Sequence, residues 1–272
     1  MKKLVLIAAA MLVIPGAMAQ GMTSISKFND KPIRGLLVNG AFEVRLSQGE
    51  KSSARVEIFE ELQDKMIFEY TEEGFIRLDF KDDVTKYLAK NKNKPTAHIV
   101  VEELRHCGLT GACNLIAKGK FSTEGEVVLR STGTSYMTWI NVDCGSASVD
   151  IAGNSKVEDV TVNAGGNVVV GVAGTASAAL KTDCKGLVIG TSGAAKLALT
   201  GKASETVKLE AAGTSSIDML GFESPKHEAE VKGLSKVRAN VTGTSTVNVG
   251  NTASYRFTGS GSVTGSGAKR LD

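Results

Sequence analysis

Aromatic residues make up only 5% of the 272-residue chain, with one tryptophan, and proline occurs 4 times. A core with so few rings has to be filled by small and β-branched side chains. Such a composition does not suit a helical bundle. Charge of one sign is lacking too: 32 basic residues stand against 29 acidic ones. Without Lys2 and Lys3 the balance is +1. The concentrated positive field that nucleic acid requires is therefore not expected. The three histidines, His98, His106 and His227, are isolated, so no metal-ligand spacing is present. After the first twenty residues no apolar run approaches ~18 residues, and no membrane span is expected. No Gly-x-x-x-x-Gly-Lys-Ser/Thr phosphate loop occurs, and nothing calls for a cofactor.

The N-terminus reads as an export signal. Lys2 and Lys3 precede an apolar stretch from Leu4 to Ile14, and Ala17-Met18-Ala19 forms a small-x-small cleavage site before Gln20. Residues 1–19 read as a signal peptide, and the mature protein as periplasmic, surface-exposed or secreted. The residue directly after the cleavage site is Gln20 and not cysteine, so a lipid anchor there is not expected.

Composition changes near residue 106. Of the 87 residues from Gln20 to His106, 29 are charged; of the 166 from Cys107 to Asp272, 30 are, and 24 of the 30 glycines fall there. Residues 20–106 read as a β-meander. Its runs are Ile33 to Leu46, broken by an Asn39-Gly40 turn, Ala54 to Phe59, and Met66 to Tyr70 paired with Phe75 to Phe80 across Glu72-Glu73-Gly74. Ala97 to Val101 follows as a last strand. Glu60 to Lys65 suits one helical turn, and the charged segment Asp82 to Lys94 reads as a loop.

Residues 107–272 repeat. Small-Gly-small steps recur at Gly111, Gly133, Gly153, Gly174, Gly193, Gly213 and Gly233, with spacings of 22, 20, 21, 19, 20 and 20. Between them lie short strand-like runs such as Val160-Thr161-Val162 and Val168-Val169-Val170. A ~20-residue unit cannot bury its own apolar face, but stacked units can. Equivalent strands then pair in parallel at ~4.8 Å per rung, glycine serves the sharp corners, and flanking hydroxyls form ladders. The fold class expected is all-β: a parallel β-helix capped at its N-terminal end. The Leu-x-Leu and Asn pattern of a leucine-rich repeat is absent.

These repeats follow a charged segment containing Phe42-Glu43-Val44-Arg45-Leu46 and Gln48-Gly49. The arrangement resembles the bacterial "putative auto-transporter adhesin, head GIN domain" family, common in Bacteroidetes, over roughly Ile33 to Gly261. The resemblance implies a right-handed β-helix shaped like the pectin lyases but without their catalytic residues, and a role in cell adhesion.

Asp143, Asn163 and Asp183 lie 10, 10 and 9 residues after their glycines and should form one column. Two aspartates two rungs apart, ~9–10 Å, approach the spacing of an inverting glycosidase pair. An Asp-Asn-Asp column also suits Ca²⁺, or simply a solvated corner that bonds turn backbone. No Lys or Arg is expected in that column. Tyr136 and Trp139 offer rings for sugar stacking, although strict alternation puts them on opposite faces. Cys144 and Cys184, two rungs apart, are too far for a disulfide; Cys107 and Cys113 either close a small loop or stay free. The His106-Cys107 dyad reads as a junction rather than a nucleophile.

The functional expectation is a non-enzymatic surface or periplasmic protein, adhesin-like or carbohydrate-binding. Ligand-binding candidates are Asp143, Asn163, Asp183, Tyr136 and Trp139, with no catalytic or metal residues. Expected partners are cell-surface glycans or host and matrix proteins. The alternatives are a polysaccharide lyase or hydrolase using Asp143 and Asp183, and a purely structural envelope protein.

Overall fold

The computed structural model describes residues 21–91 and 94–271; the expected signal peptide lies outside them. Among the described residues, two sheets of 15 and 12 strands, here sheets A and B, enclose one core. The chain alternates between them. Ser146–Ile151 in sheet B is followed by Lys156–Ala164 in sheet A, then Val168–Val172 in B and Ser177–Cys184 in A. Each strand pairs in parallel with its equivalent one repeat later, and the result is a β-solenoid of about 8 turns.

The register stacks inward residues into columns. Val149, Val170, Ile189 and Leu209 lie side by side in sheet B. Ala178, Leu197, Ile217, Val237 and Tyr255 do so in sheet A. All are buried. Two sheets faced with Val, Leu, Ile and Ala lie close enough to fill the space between them without many rings, which accounts for the aromatic-poor composition.

The repeated glycines also stack. A side chain begun on Gly153 would meet the carbonyl oxygen of Gly133 at 2.7 Å, and one on Gly174 that of Gly153 at 2.8 Å. Their φ values are 75° and 76°, the left-handed region that favours glycine. The next residue completes the corner: Asn154 donates its N–H to the Gly133 carbonyl at 2.7 Å, and Thr175 to that of Gly153 at 2.8 Å. Beside this column runs the expected hydroxyl ladder, in which Thr191 Oγ1 donates to Ser215 Oγ at 2.9 Å and Ser215 Oγ to Ser235 Oγ at 3.1 Å.

The N-terminal strands depart from a simple meander. Gly35–Gly40 joins sheet B and Glu43–Gln48 joins sheet A, so Asn39-Gly40 is a solenoid corner and not a hairpin turn. Both strands pair in parallel with the first repeat strands, His106–Gly111 and Asn114–Lys118, so sheet pairing continues across residue 106. Beneath this rung the chain lays another, Phe75–Phe80 under Gly35–Gly40 and Thr96–Val101 under Glu43–Gln48. Antiparallel strands then finish both sheets. Ser53–Phe59 and Met22–Lys27 close sheet A, and Met66–Tyr70 closes sheet B through the expected hairpin. Sheet B thus ends on a reversed strand, which prevents another parallel copy from continuing it in register. Glu60–Lys65 is a 3₁₀ turn, as expected. The charged loop contains a short helix, Thr85–Lys90, that buries Leu88.

Candidate functional site

The candidate residues converge on the outer face of sheet A. In one rung, Tyr136–Thr138 and Asn141–Cys144 are separated by Trp139 and Ile140. Met137 and Ile140 both point into the core and are buried. Two residues, rather than one, therefore separate consecutive inward positions, and the strand bulges outward. Trp139 takes up the extra length with φ 61°. Tyr136 and Trp139 consequently lie outside together, not on opposite faces. Asp159, with φ 52°, forms the same bulge one rung on, between the pairs Thr138–Glu158 and Asn141–Thr161.

The two rings differ in freedom. Tyr136 donates its hydroxyl to Glu158 Oε2 at 3.0 Å. Lys156 Nζ lies 2.6 Å from Glu158 Oε1 and 5.8 Å from the centre of the Tyr136 ring. Lys156 and then Tyr136 hold the Glu158 carboxyl below its usual range. Trp139 is 59% exposed. Next to it Thr138 is 4% exposed, and its Oγ1 is buried with no partner among the described residues.

Asp143, Asn163 and Asp183 are registered side by side as expected, and the column continues to Lys202. The expectation that no basic residue falls here is thus corrected. The strand Lys196–Ala203 carries its lysine at the same offset, a position that continued repeat arithmetic reaches. Asn163 Nδ2 donates to Asp143 Oδ1 at 2.9 Å, and the Lys120 ammonium contacts Asp143 Oδ2. Both carboxylate oxygens thus have protein partners. Lys120, first, and Asn163 hold the Asp143 carboxyl below its usual range. Asp183 Oδ1 accepts the Lys202 backbone N–H at 3.1 Å. Asn163, Asp183, Lys185 and Lys202 border a shallow open hollow on this face.

The four cysteines are free and buried. Cys144 pairs across the rung with Ala164, as the 20-residue arithmetic requires. Burial pushes the Cys144 and Cys184 thiols up to about 11 and raises Cys107 and Cys113 as well. Cys113 Sγ donates to the Thr110 carbonyl at 3.3 Å. His106 lies outside, its ring stacked on Phe75 at 5.3 Å, while Cys107 points into the core. Neighbours on opposite faces of a strand cannot pair as base and nucleophile. His227 is fully buried with Nδ1 3.0 Å from the Tyr255 hydroxyl, and its Nε2 has no partner among the described residues.

Comparison with known proteins agrees with this architecture. A "putative adhesin" of Parabacteroides distasonis superposes with a TM-score of 0.67 at 17% identity, over 92% of this chain and 96% of that one. A "putative lipid binding protein" of the same organism gives 0.59 at 14% identity, over 93% and 98%. A "putative adhesin" of Parabacteroides merdae gives 0.54 at 14% identity, over 93% and 97%. At such identities the likeness establishes the fold. No curated protein matches the chain. No helix among the described residues is long and apolar enough to cross a membrane. Residues 34–161, from the first solenoid strand through the Trp139 rung, match the family described as "Putative auto-transporter adhesin, head GIN domain".

Proposed function

We propose that the protein is an exported, non-enzymatic adhesin-type solenoid that binds carbohydrate on the outer face of sheet A, with Trp139 as its stacking platform. The observation that carries this reading is the combination of exposure and strain at one residue. A left-handed backbone costs a bulky residue roughly 1–2 kcal/mol. Trp139 adopts it with φ 61° yet remains 59% exposed, so packing inside the protein does not repay that cost. An indole displayed beside pinned polar groups suits the apolar face of a sugar ring, with the exposed Asn141 side chain available to its hydroxyls.

The Asp143 carboxyl supports the non-enzymatic reading. A general acid needs a raised pKa near working pH. Asp143 is lowered, and its oxygens are held by Lys120 and Asn163. Export rests on the N-terminal signal sequence and accords with the adhesin family matched over residues 34–161.

The test uses the single tryptophan as reporter. Oligosaccharides titrated into the mature protein should blue-shift its emission and protect it from iodide quenching. A panel of neutral and acidic glycans that leaves both unchanged would remove the proposal. Depolymerisation of any glycan, abolished by Asp143→Ala, would replace it with the hydrolase or lyase reading.

A further inference from the structure

Several cations on the sheet B side of this solenoid have a carboxylate beside them on the same face. On sheet B, Lys226 pairs with Glu228 at 2.5 Å, Lys232 with Glu230 at 2.7 Å and Arg130 with Asp150 at 3.3 Å. The outer face of sheet A in the C-terminal rungs departs from this pattern. Lys196, Ser216, Lys236 and Ser254 form one registered column, so a lysine recurs every second rung with a hydroxyl between. Two residues further along the same strands, Arg238, Arg256 and Lys269 stand directly next to one another on three successive rungs. Asp218 reaches Arg238 at 3.1 Å. Among the described residues Lys196, Lys236, Arg256 and Lys269 have no carboxylate within 4.0 Å, and all are exposed.

Like charges placed directly opposite on neighbouring strands oppose folding. A sheet carrying three in a row, with one carboxylate at one end, is complementary to an anion supplied from outside. We propose that this face binds a linear anionic polysaccharide laid along the solenoid axis. Rungs ~4.8 Å apart put the lysines of the first column ~9–10 Å apart, which suits acidic groups that recur along a polymer. The serines between them offer donors and acceptors to sugar hydroxyls. Among the described residues the C-terminal rungs of this face present no exposed aromatic side chain on which an unpaired base could stack, so a glycan fits them better than a single-stranded nucleic acid. The inference shares with the proposed function the assignment of sheet A as the glycan face, but stands on different residues.

The test measures binding of the mature chain to polygalacturonate, neutral dextran and a DNA duplex, from about 50 to about 300 mM salt. Polygalacturonate should bind, with affinity falling as salt rises. The Lys196→Gln/Lys236→Gln/Arg256→Gln variant should lose on the order of 10-fold or more. Lys208→Gln/Lys226→Gln/Lys232→Gln, which removes the same charge from sheet B, should retain wild-type affinity. Equal loss in both triple variants, DNA bound as tightly as polygalacturonate, or no binding to polygalacturonate would each overturn the assignment. Loss in Trp139→Gly with none in the sheet A triple would overturn it and leave the proposed function standing. The opposite outcome would uphold this face and remove Trp139 from the account. Unchanged far-UV spectra check that the variants, all at exposed positions, remain folded.

Discussion

Gly111 sits directly on Gly40: a side chain begun on Gly111 would lie 2.6 Å from the Gly40 carbonyl oxygen, which accepts the Ala112 N–H at 2.7 Å. The corner column therefore starts inside the charged N-terminal segment, one rung below the first repeat glycine. It ends at Gly233, whose carbonyl accepts the Thr252 hydroxyl at 2.6 Å. The column ties the family-matched segment to the later rungs, and its glycines are not interchangeable with those on the sheet faces.

That difference is measurable. Gly153→Ala places a Cβ 2.7 Å from the Gly133 carbonyl oxygen and 3.0 Å from its nitrogen, at φ 75°. A cost of about 2–4 kcal/mol is expected in urea unfolding. Gly190→Ala meets nothing within 4 Å. It should be neutral or add up to ~1 kcal/mol, by restricting the unfolded chain. Equal losses at both positions would refute the stacked corner.

Acid should loosen the C-terminal rungs through His227. Burial lowers its pKa from 6.5 to about 4. Above pH 6.5 the ring is neutral in both folded and unfolded chains and costs nothing. As pH falls from 6.5 toward 4 only the unfolded chain takes up the proton, so stability drops, by roughly 3 kcal/mol at most. His227→Gln should flatten this part of the stability–pH curve. An unchanged slope would show that other groups carry the acid sensitivity.

The thiols should be silent in the native protein. With Cys144 and Cys184 pushed up to about 11, few thiolates exist at pH 8 and burial blocks access to them. Ellman's reagent should report four thiols only after denaturation. A Cys144–Cys184 crosslink in non-reducing peptide maps of the monomer would contradict the rung on which the Asp143–Asn163–Asp183 column depends.

Much of this was legible in the chain. Seven glycines in phase implied the stack, and counting from them placed Asp143, Asn163 and Asp183 in register. The same counting, carried one repeat further, reaches Lys202. Gly40 escaped because strands at 53–59, 66–70, 75–80 and 96–101 intervene before Gly111, and Asn-Gly between apolar runs is also a hairpin signal. The facing of Trp139 escaped for another reason. A period of two assigns Tyr136 and Trp139 to opposite sides, and one bulge residue reverses every assignment beyond it. Nothing in a single sequence marks a left-handed tryptophan. The unpaired cations of sheet A become visible only after the register joins residues some twenty positions apart.

The central claim is that Trp139 is displayed for a ligand at a cost to stability. The most direct test compares wild type with Trp139→Gly, by thermal melting and on an array of neutral and acidic glycans. Glycine accepts φ 61° freely, so the variant should melt at the same temperature or higher, by up to about 1 kcal/mol of added stability, while glycan binding is lost. A variant that melts lower and binds every glycan as wild type does would contradict the account, because Trp139 would then be part of the scaffold rather than of the binding surface.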